Sequence, residues 1–251
     1  ILKNKKYLFL LIFLNILILI VFKYTDFIIS NINMLFNLNI RLLKLPFPLA
    51  LSFVTFQMIA FLVDYYERGI KKIEFKNFFL FIIFFPQLIA GPIVKYNDVI
   101  HQYKNKNNKK INIKNIFAGL ILILIGFLKK ILLADNLGTY ATLGFENVFQ
   151  VSTLECWISS LAFTFQIYFD FSGYVDMAVG SALLFNIKLP QNFNSPFKAS
   201  SLINFWQRWH ITLTNFLTNY IFNPCVRSLK KITFIKMLLL ITLVFILCGF
   251  W

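Results

Sequence analysis

The sequence predicts an all-α integral membrane protein, a multi-helix bundle with re-entrant and amphipathic helices, and three observations carry that expectation. Of 251 residues, 59% are hydrophobic and only 14% charged, a balance that suits lipid rather than water as the surrounding solvent. Apolar runs too long for strands or ordinary core helices recur along the chain, with room for about six to eight membrane segments of about 20 residues each. The formal net charge of +15 resides in short lysine clusters between those runs, which marks cytoplasmic loops rather than a nucleic-acid surface. The bilayer is therefore the expected partner, and nucleic acid is not. Residues 1–251 read as a single transmembrane domain without a soluble part. Cys156, Cys225 and Cys248 stand singly in apolar surroundings and read as small buried hydrophobes, with no metal-type spacing and no redox role.

The elements follow in order. Lys3, Lys5 and Lys6 precede an apolar run from about Tyr7 to Phe22. No small-residue cleavage site follows it and it exceeds a usual signal core, so it reads as a membrane helix. Scattered asparagines among spaced Leu, Ile and Phe over 23–45 suggest an interfacial amphipathic helix. After Pro46-Phe47-Pro48, a second segment covers about Phe47 to Val63, followed by a basic loop with Arg68, Lys71, Lys72 and Lys76. The third segment, Phe78 to Val94, is flanked beyond by another basic loop, Lys95 to Lys114. Both of its ends should then be cytoplasmic, which a simple spanning helix cannot satisfy. Pro86 and Gly91-Pro92 supply breaks for a re-entrant segment.

A fourth segment begins near Ile116 and carries Lys129-Lys130 before its apolar character ends at Leu133. Residues 134–153 contain no Lys or Arg, so this loop should face away from the cytoplasm. Segments over Leu154 to Phe169 and Tyr174 to Ile187 are joined at Asp170-Phe171-Ser172-Gly173. An amphipathic helix is expected from Ser200 to Tyr220, and a last apolar segment from Ile232 to Phe250 after Arg227, Lys230, Lys231 and Lys236. The absence of a starting Met and the stop at Trp251, right after an apolar run, suggest a fragment whose C-terminal helices are missing.

Chemistry concentrates around Trp206-Gln207-Arg208-Trp209-His210. On a helix from Ser200, Gln207, His210 and Thr214 fall at three- and four-residue spacings and share one polar edge that could line a cavity. Arg208 costs on the order of 3 kcal/mol at mid-bilayer and must face water, a headgroup or a carboxylate. The competing reading makes Trp206, Arg208 and Trp209 an interfacial belt with His210 wetted beside it, and residue type alone leaves the two level. Asp170, Ser172 and Asp176 have no basic neighbour closer in sequence than Lys188. They suit a site or a structural partner, with a helix break capped by Asp170 or Ser172 as the alternative. Lys129 and Lys130 could neutralise the phosphates of a ligand or snorkel to headgroups. His101 lies in a lysine and asparagine loop and reads as solvated. No Gly-rich phosphate cradle, H-E-x-x-H or G-x-S-x-G occurs, which excludes P-loop ATPases, zincins and typical serine hydrolases.

Three stretches together resemble the membrane-bound O-acyltransferase family, in particular its bacterial branch of alginate and peptidoglycan O-acetyltransferases. They are Phe85 to Ile93 (FPQLIAGPI), Phe165 to Tyr174 (FQIYFDFSGY) continuing through Asp176-Met177-Ala178, and Asn192 to Phe197 (NFNSPF) continuing through Phe205 to Leu213 (FWQRWHITL). The resemblance covers most of the chain from about Phe78 onward. It implies helices around a central tunnel, in a multi-pass protein of the bacterial cytoplasmic (inner) membrane. It implies an enzyme that passes an acyl group, acetyl first of all, from a cytoplasmic donor toward a hydroxyl acceptor outside. No bound cofactor is implied; the donor would be acetyl-CoA or another acyl thioester. The implied partners are a polysaccharide acceptor and a periplasmic or extracellular acyltransferase that finishes the transfer.

The family also carries two histidines, one matched by His210 and one directly after a Gly-x-Trp, the usual base. Gly249-Phe250-Trp251 fits that lead-in and the chain then stops, so this stretch by itself is expected to be inactive and His210 to orient substrate or support the base. Trp206, Gln207, Arg208, Trp209, Thr214, Asp170, Ser172 and Asp176 are the tunnel candidates, Lys129 and Lys130 the donor-phosphate candidates, and no metal is expected. D-alanyl transfer to teichoic acid is the alternative within the class. A transporter or channel lined by His210 and the aspartates is the alternative outside it.

Overall fold

A computed structural model describes residues 4–68, 73–88, 91–146, 151–229 and 231–250, and these are mainly helical with no strand among them. In chain order the α-helices are α1 (Lys5–Phe36), α2 (Leu51–Arg68), α3 (Phe75–Ile83), α4 (Phe85–Leu88), α5 (Tyr96–Lys104), α6 (Ile113–Leu128), α7 (Asp135–Glu146), α8 (Thr153–Leu184), α9 (Leu202–Trp206), α10 (Ile211–Leu217), α11 (Asn223–Ser228) and α12 (Phe234–Phe250). Lys3, Lys71, Lys72, Ile89, Ala90, Lys230 and Trp251 lie outside the described residues. The chain divides into two compact units, Ile1–Ile83 with Asn215–Trp251, and Phe84–Thr214.

In the first unit, α1 is one helix of 32 residues, not a short span followed by an amphipathic one. The asparagines of 23–45 serve a reversal instead. Asn37 takes the left-handed conformation (φ 50°) and its N–H bonds the Asn33 carbonyl. The Asn33 amide then exchanges two hydrogen bonds with the Ile40 backbone, at 2.8 and 2.9 Å. Farther back, the Asp26 carboxylate accepts the N–H groups of Leu43 and Lys44 at 2.8 and 2.9 Å. Short polar side chains that bond nearby backbone stop a helix better than they extend one. Beside α1 lies α2, whose Phe56 and Phe61 meet Phe216 and Phe78 at ring-centroid distances of 4.4 and 4.6 Å. The buried carboxylate of Asp64 on α2 accepts the Tyr220 hydroxyl at 2.9 Å.

The expected third segment is broken. The helix lapses at Phe84, α3 has nine residues, α4 has four, and from Gly91 to Lys95 the chain is non-helical. At about 1.5 Å per residue neither helix spans an apolar layer of ~30 Å. Pro86, inside the first turn of α4, lacks only an N–H that such a turn leaves unused.

The second unit is built on a helical hairpin. Residues Ile113–Glu146 form one apolar rod, with a π-helical stretch over Lys129–Ala134 between α6 and α7. The residues 134–153 expected as an outer loop are thus helical through Glu146. The rod packs along α8, which is itself a single helix of 32 residues started by a Ser152/Glu155 capping box. There is no break at Asp170–Gly173, and the capping role considered for Asp170 and Ser172 falls away.

Two physical features explain why a polar island remains mid-helix. First, small residues let the backbones touch: a Cβ on Gly119 would lie 2.7 Å from the Gly180 carbonyl oxygen, and one on Gly173 2.7 Å from that of Gly126. The pairs run in opposite sense along the two helices, so they are antiparallel, and the close approach is that of membrane helices lacking a hydrophobic driving force. Second, the acids have partners remote in sequence. The Lys129 ammonium lies 2.5 Å from Asp176, and that of Lys130 lies 2.7 Å from both Asp170 and Asp135. Widening to a π-turn at Lys129 and Lys130 accompanies this reach.

The outer faces of these helices stay apolar and uncovered. Phe117, Leu120 and Leu124 on α6 are more than half exposed, as expected of surfaces meant for acyl chains. Among the described residues two helical stretches are long and apolar enough to cross a membrane, Lys5–Phe36 and Ile113–Glu146, and Phe234–Phe250 is a shorter apolar helix. The same outward character corrects the cysteines: Cys156 is exposed and Cys225 and Cys248 are half-buried, all as free thiols.

Two outcomes follow for the full-length protein in detergent. Gly126→Val should cost about 1–3 kcal/mol of stability by overpacking and lower the thermal midpoint, whereas Ala118→Leu on the exposed face of α6 should leave it unmoved. A double-mutant cycle of Lys129→Met and Asp176→Asn should give a coupling of about 0.5–3 kcal/mol, with the double variant more stable than the sum of the singles implies. Additive losses would show the pair to be independent.

Candidate functional site

The helix expected over 200–220 is interrupted where its chemistry lies. Ser201 caps α9, accepting the Asn204 N–H at 3.1 Å, and α9 ends at Trp206. After a turn through Gln207 to Trp209, His210 adopts φ 43°, and α10 begins at Ile211. A left-handed non-glycine residue costs about 1–2 kcal/mol, so neighbouring contacts must hold it there. The expected common edge of Gln207, His210 and Thr214 is therefore absent. Gln207 is exposed, and Thr214 turns its hydroxyl to the Trp209 carbonyl at 3.4 Å.

What holds the turn is a ladder to the segment after α8. Asn194 N–H donates to the Arg208 carbonyl, and Ile211 N–H donates to the Asn192 carbonyl, both at 2.9 Å. Arg208 reinforces it, its Nε donating to Asn204 Oδ1 at 2.9 Å and its guanidinium also reaching the Asn194 carbonyl at 3.3 Å. The cation is thus satisfied by neutral oxygens rather than by a carboxylate. Trp209 sits among aromatic rings, 5.1 Å from Phe193, 5.6 Å from Phe205 and 6.2 Å from Tyr168. Trp206 meets Phe205 edge-on at 5.7 Å.

The centre of the arrangement is Asn192, which is fully buried. Its Oδ1 accepts the Thr212 N–H at 3.2 Å and the Thr212 hydroxyl at 3.0 Å, and lies 3.0 Å from His210 Nδ1. The Thr212 oxygen in turn accepts the Ile93 N–H at 3.0 Å. Phe171 of α8 closes the other side, edge-on to the imidazole at 4.7 Å. His210 lies in a turn between two short helices, outside any spanning segment, and burial pushes its imidazole below the ordinary value.

Next to this knot is a cavity of about 330 Å³, lined by Lys129, Tyr168, Ser172 and Asp176 from the hairpin and by Leu189 to Ser195 from the segment after it. Two buried polar atoms on its wall, Ser172 Oγ and Asn192 Nδ2, have no hydrogen-bond partner among the described residues. Ser172 does not bond Asp176 one turn away, although the sequence allows it. Unsatisfied buried donors of this kind are where a water or ligand group belongs. Of the residues singled out by sequence, Lys129, Ser172 and Asp176 line the cavity, and His210 touches its wall through Asn192. Lys130 and Asp170 form the adjoining ion pair, and Trp206, Gln207, Arg208, Trp209 and Thr214 lie outside the lining.

Sequence reasoning passed over Asn192, Thr212, Ile93 and Phe171. The signal was present, since each belongs to one of the three quoted stretches: Ile93 to the first, Phe171 and Ser172 to the second, Asn192, His210 and Thr212 to the third. What could not be read was that all three converge on one place: Ile93 bonds the Thr212 hydroxyl, Phe171 meets the His210 ring, and Thr212 and His210 both face Asn192 Oδ1.

Known proteins share this sequence pattern. Residues 66–251 match the family model of the membrane-bound O-acyltransferases. The chain is 41% identical to the peptidoglycan O-acetyltransferase of Helicobacter pylori over 94% of its own length and 49% of that protein's. It is 34% identical to the probable alginate O-acetylase AlgI of Pseudomonas aeruginosa, over 80% of this chain and 39% of the relative. With the teichoic acid D-alanyltransferase of Bacillus subtilis the identity is 28%, over 81% of this chain and 53% of the relative. The chain spans about half the length of the curated relatives it matches. With the motif-bearing stretches gathered on one site and the family model matched over 66–251, the chain belongs to the membrane-bound O-acyltransferase family.

Proposed function

We propose that the protein serves as a membrane-bound O-acetyltransferase of the cell envelope, passing acetyl from a cytoplasmic thioester, acetyl-CoA, to a hydroxyl acceptor for O-acetylation of a polysaccharide. The observation that carries this reading is the Asn192–His210–Thr212 knot beside a polar cavity: the knot lies in the third of the stretches that resemble the family, Ile93 of the first bonds Thr212, and Ser172 of the second lines the cavity. The 41% identity to a peptidoglycan O-acetyltransferase favours peptidoglycan over an alginate-like polymer as acceptor.

In the reaction the acceptor oxygen attacks the thioester carbonyl, the C–S bond breaks, and the thiolate leaves with a proton. A neutral imidazole suits the removal or steering of the hydroxyl proton, and unpaired donors suit the charge that develops on the carbonyl oxygen. His210 supplies the first, alone or supporting the second histidine that the family carries after Gly-x-Trp. Ser172 Oγ and Asn192 Nδ2 supply the second. The cavity is then part of a tunnel across a locally thinned bilayer, to which the broken segment at Phe84 contributes as a re-entrant element of a multi-pass inner-membrane protein. Lys129 and Lys130 are held by aspartates, so their part is to fix the hairpin beside the tunnel rather than to grip donor phosphates. A separate periplasmic transferase would complete delivery to the polymer.

Transfer of D-alanine to teichoic acid is the second reading, favoured by the Bacillus subtilis match. Membrane vesicles carrying the full-length protein and fed radiolabelled acetyl-CoA should place alkali-labile label on envelope glycan. His210→Ala should lower that rate by about 10²-fold or more. Label entering only from a D-alanyl thioester would move the assignment to the second reading, and solute flux without acylation would overturn both.

A further inference from the structure

We infer that Asn192 is a positioning residue that fixes the tautomer of His210, placing the proton on Nδ1 and leaving Nε2 as the basic atom of the ring. The inference rests on the acyl-transfer reading only for its purpose; its chemistry is set by the hydrogen bonds themselves.

The side-chain amide of Asn192 has one oxygen and one nitrogen, and which faces His210 decides what the imidazole must do. A backbone N–H can only donate. That of Thr212 points at Oδ1 from 3.2 Å, and turning the amide round would set an NH₂ against it. The oxygen therefore faces the knot, and it is the same oxygen that lies 3.0 Å from His210 Nδ1. An amide oxygen only accepts, so Nδ1 must carry a hydrogen. In a neutral imidazole the other nitrogen, Nε2, is then a bare lone pair. Nε2 has no hydrogen-bond partner among the described residues.

Every freedom that could undo this arrangement is removed. Amide rotation is blocked by the Thr212 hydroxyl, which donates to Oδ1 at 3.0 Å while accepting from Ile93 N–H. The Asn192 backbone is pinned by Ile211 N–H at 2.9 Å. Rotation of the imidazole is opposed by Phe171, 4.7 Å away and edge-on. The left-handed backbone of His210 is the conformation that lets residues 210 and 212 both face one oxygen. Burial keeps the ring neutral, the state in which Nε2 can accept. A merely structural asparagine would need none of these relations to His210, since Thr212 alone would satisfy its oxygen.

Nitrogen-15 NMR of histidine-labelled full-length protein tests this, with the His210 signals assigned by their loss in His210→Gln. The expected spectrum at neutral pH shows a protonated Nδ1 and an unprotonated Nε2. Asn192→Ala should convert it to a mixture or to the Nε2–H form; kcat should also fall at least about 10-fold with KM changed less than 3-fold, a loss that removal of the Nδ2 donor shares, so the tautomer is the deciding readout. Thr212→Val removes a buried hydrogen bond from the same knot but leaves the oxygen beside Nδ1, so it should lower the thermal midpoint and keep the tautomer. Asn192→Asp retains an acceptor at that place and should keep a proton on Nδ1. A wild-type spectrum with the proton on Nε2 overturns the inference even if no variant folds. So does an unchanged tautomer in a folded Asn192→Ala protein. A wild-type Nδ1–H signal in a protein without acyl transfer would instead sink the proposed function and leave the positioning role standing.

Discussion

One carbonyl oxygen, Oδ1 of Asn192, sets the geometry of the site. It takes the backbone and hydroxyl donors of Thr212 and faces Nδ1 of His210, so an irregular turn with a left-handed histidine is held where sequence periodicity alone would draw a helix. Each buried hydrogen bond contributes about 1 kcal/mol net, but leaving such a group unpaired costs more. The knot is therefore close to all-or-none: displacing Asn192 would orphan the Thr212 N–H and release His210 together. Through Thr212 the same oxygen also fixes Ile93, and with it the non-helical run after α4.

The hairpin of α6, α7 and α8 supplies the rigid wall on which this knot rests. Glycines at 119, 126, 173 and 180 bring the backbones into contact, and Phe171 and Ser172 are carried on that helix toward the imidazole and the cavity. Lys129 and Lys130 neutralise Asp176 and Asp170 across the crossing. Each partner alone would be expensive in an apolar layer, and the pair is tolerated because both are present. The charges thus explain how a 32-residue helix can keep two carboxylates near its middle without breaking.

The membrane class was legible from composition and run length, because lipid imposes one rule on the whole chain. The break before Pro86 was legible too, since a proline and a Gly-Pro pair act locally. Three elements were not. The asparagines of 23–45 looked like the polar face of a helix, yet Asn33 and Asn37 turn the chain back. Asp170-Phe171-Ser172-Gly173 looked like a loop because its basic partners lie some 40 residues earlier in sequence. Gln207 to His210 looked helical because the competing hydrogen bonds come from Asn192 and Asn194. In the last two a contact distant in sequence overrode a local pattern, whereas Asn33 and Asn37 act through backbone within seven residues. At the candidate site the types of residue were visible beforehand, His210 and Ser172 among them, whereas Asn192, which faces His210 and lines the cavity with Ser172, stood unremarked inside a quoted motif.

We propose that the pocket beside His210 is where acyl transfer happens. Its most direct test is a structure of the full-length protein with a non-transferable acetyl-thioester analogue. The analogue's carbonyl oxygen should lie against Ser172 Oγ and Asn192 Nδ2, with the reacting carbon within reach of His210. An analogue seated out of reach of all three residues would contradict it.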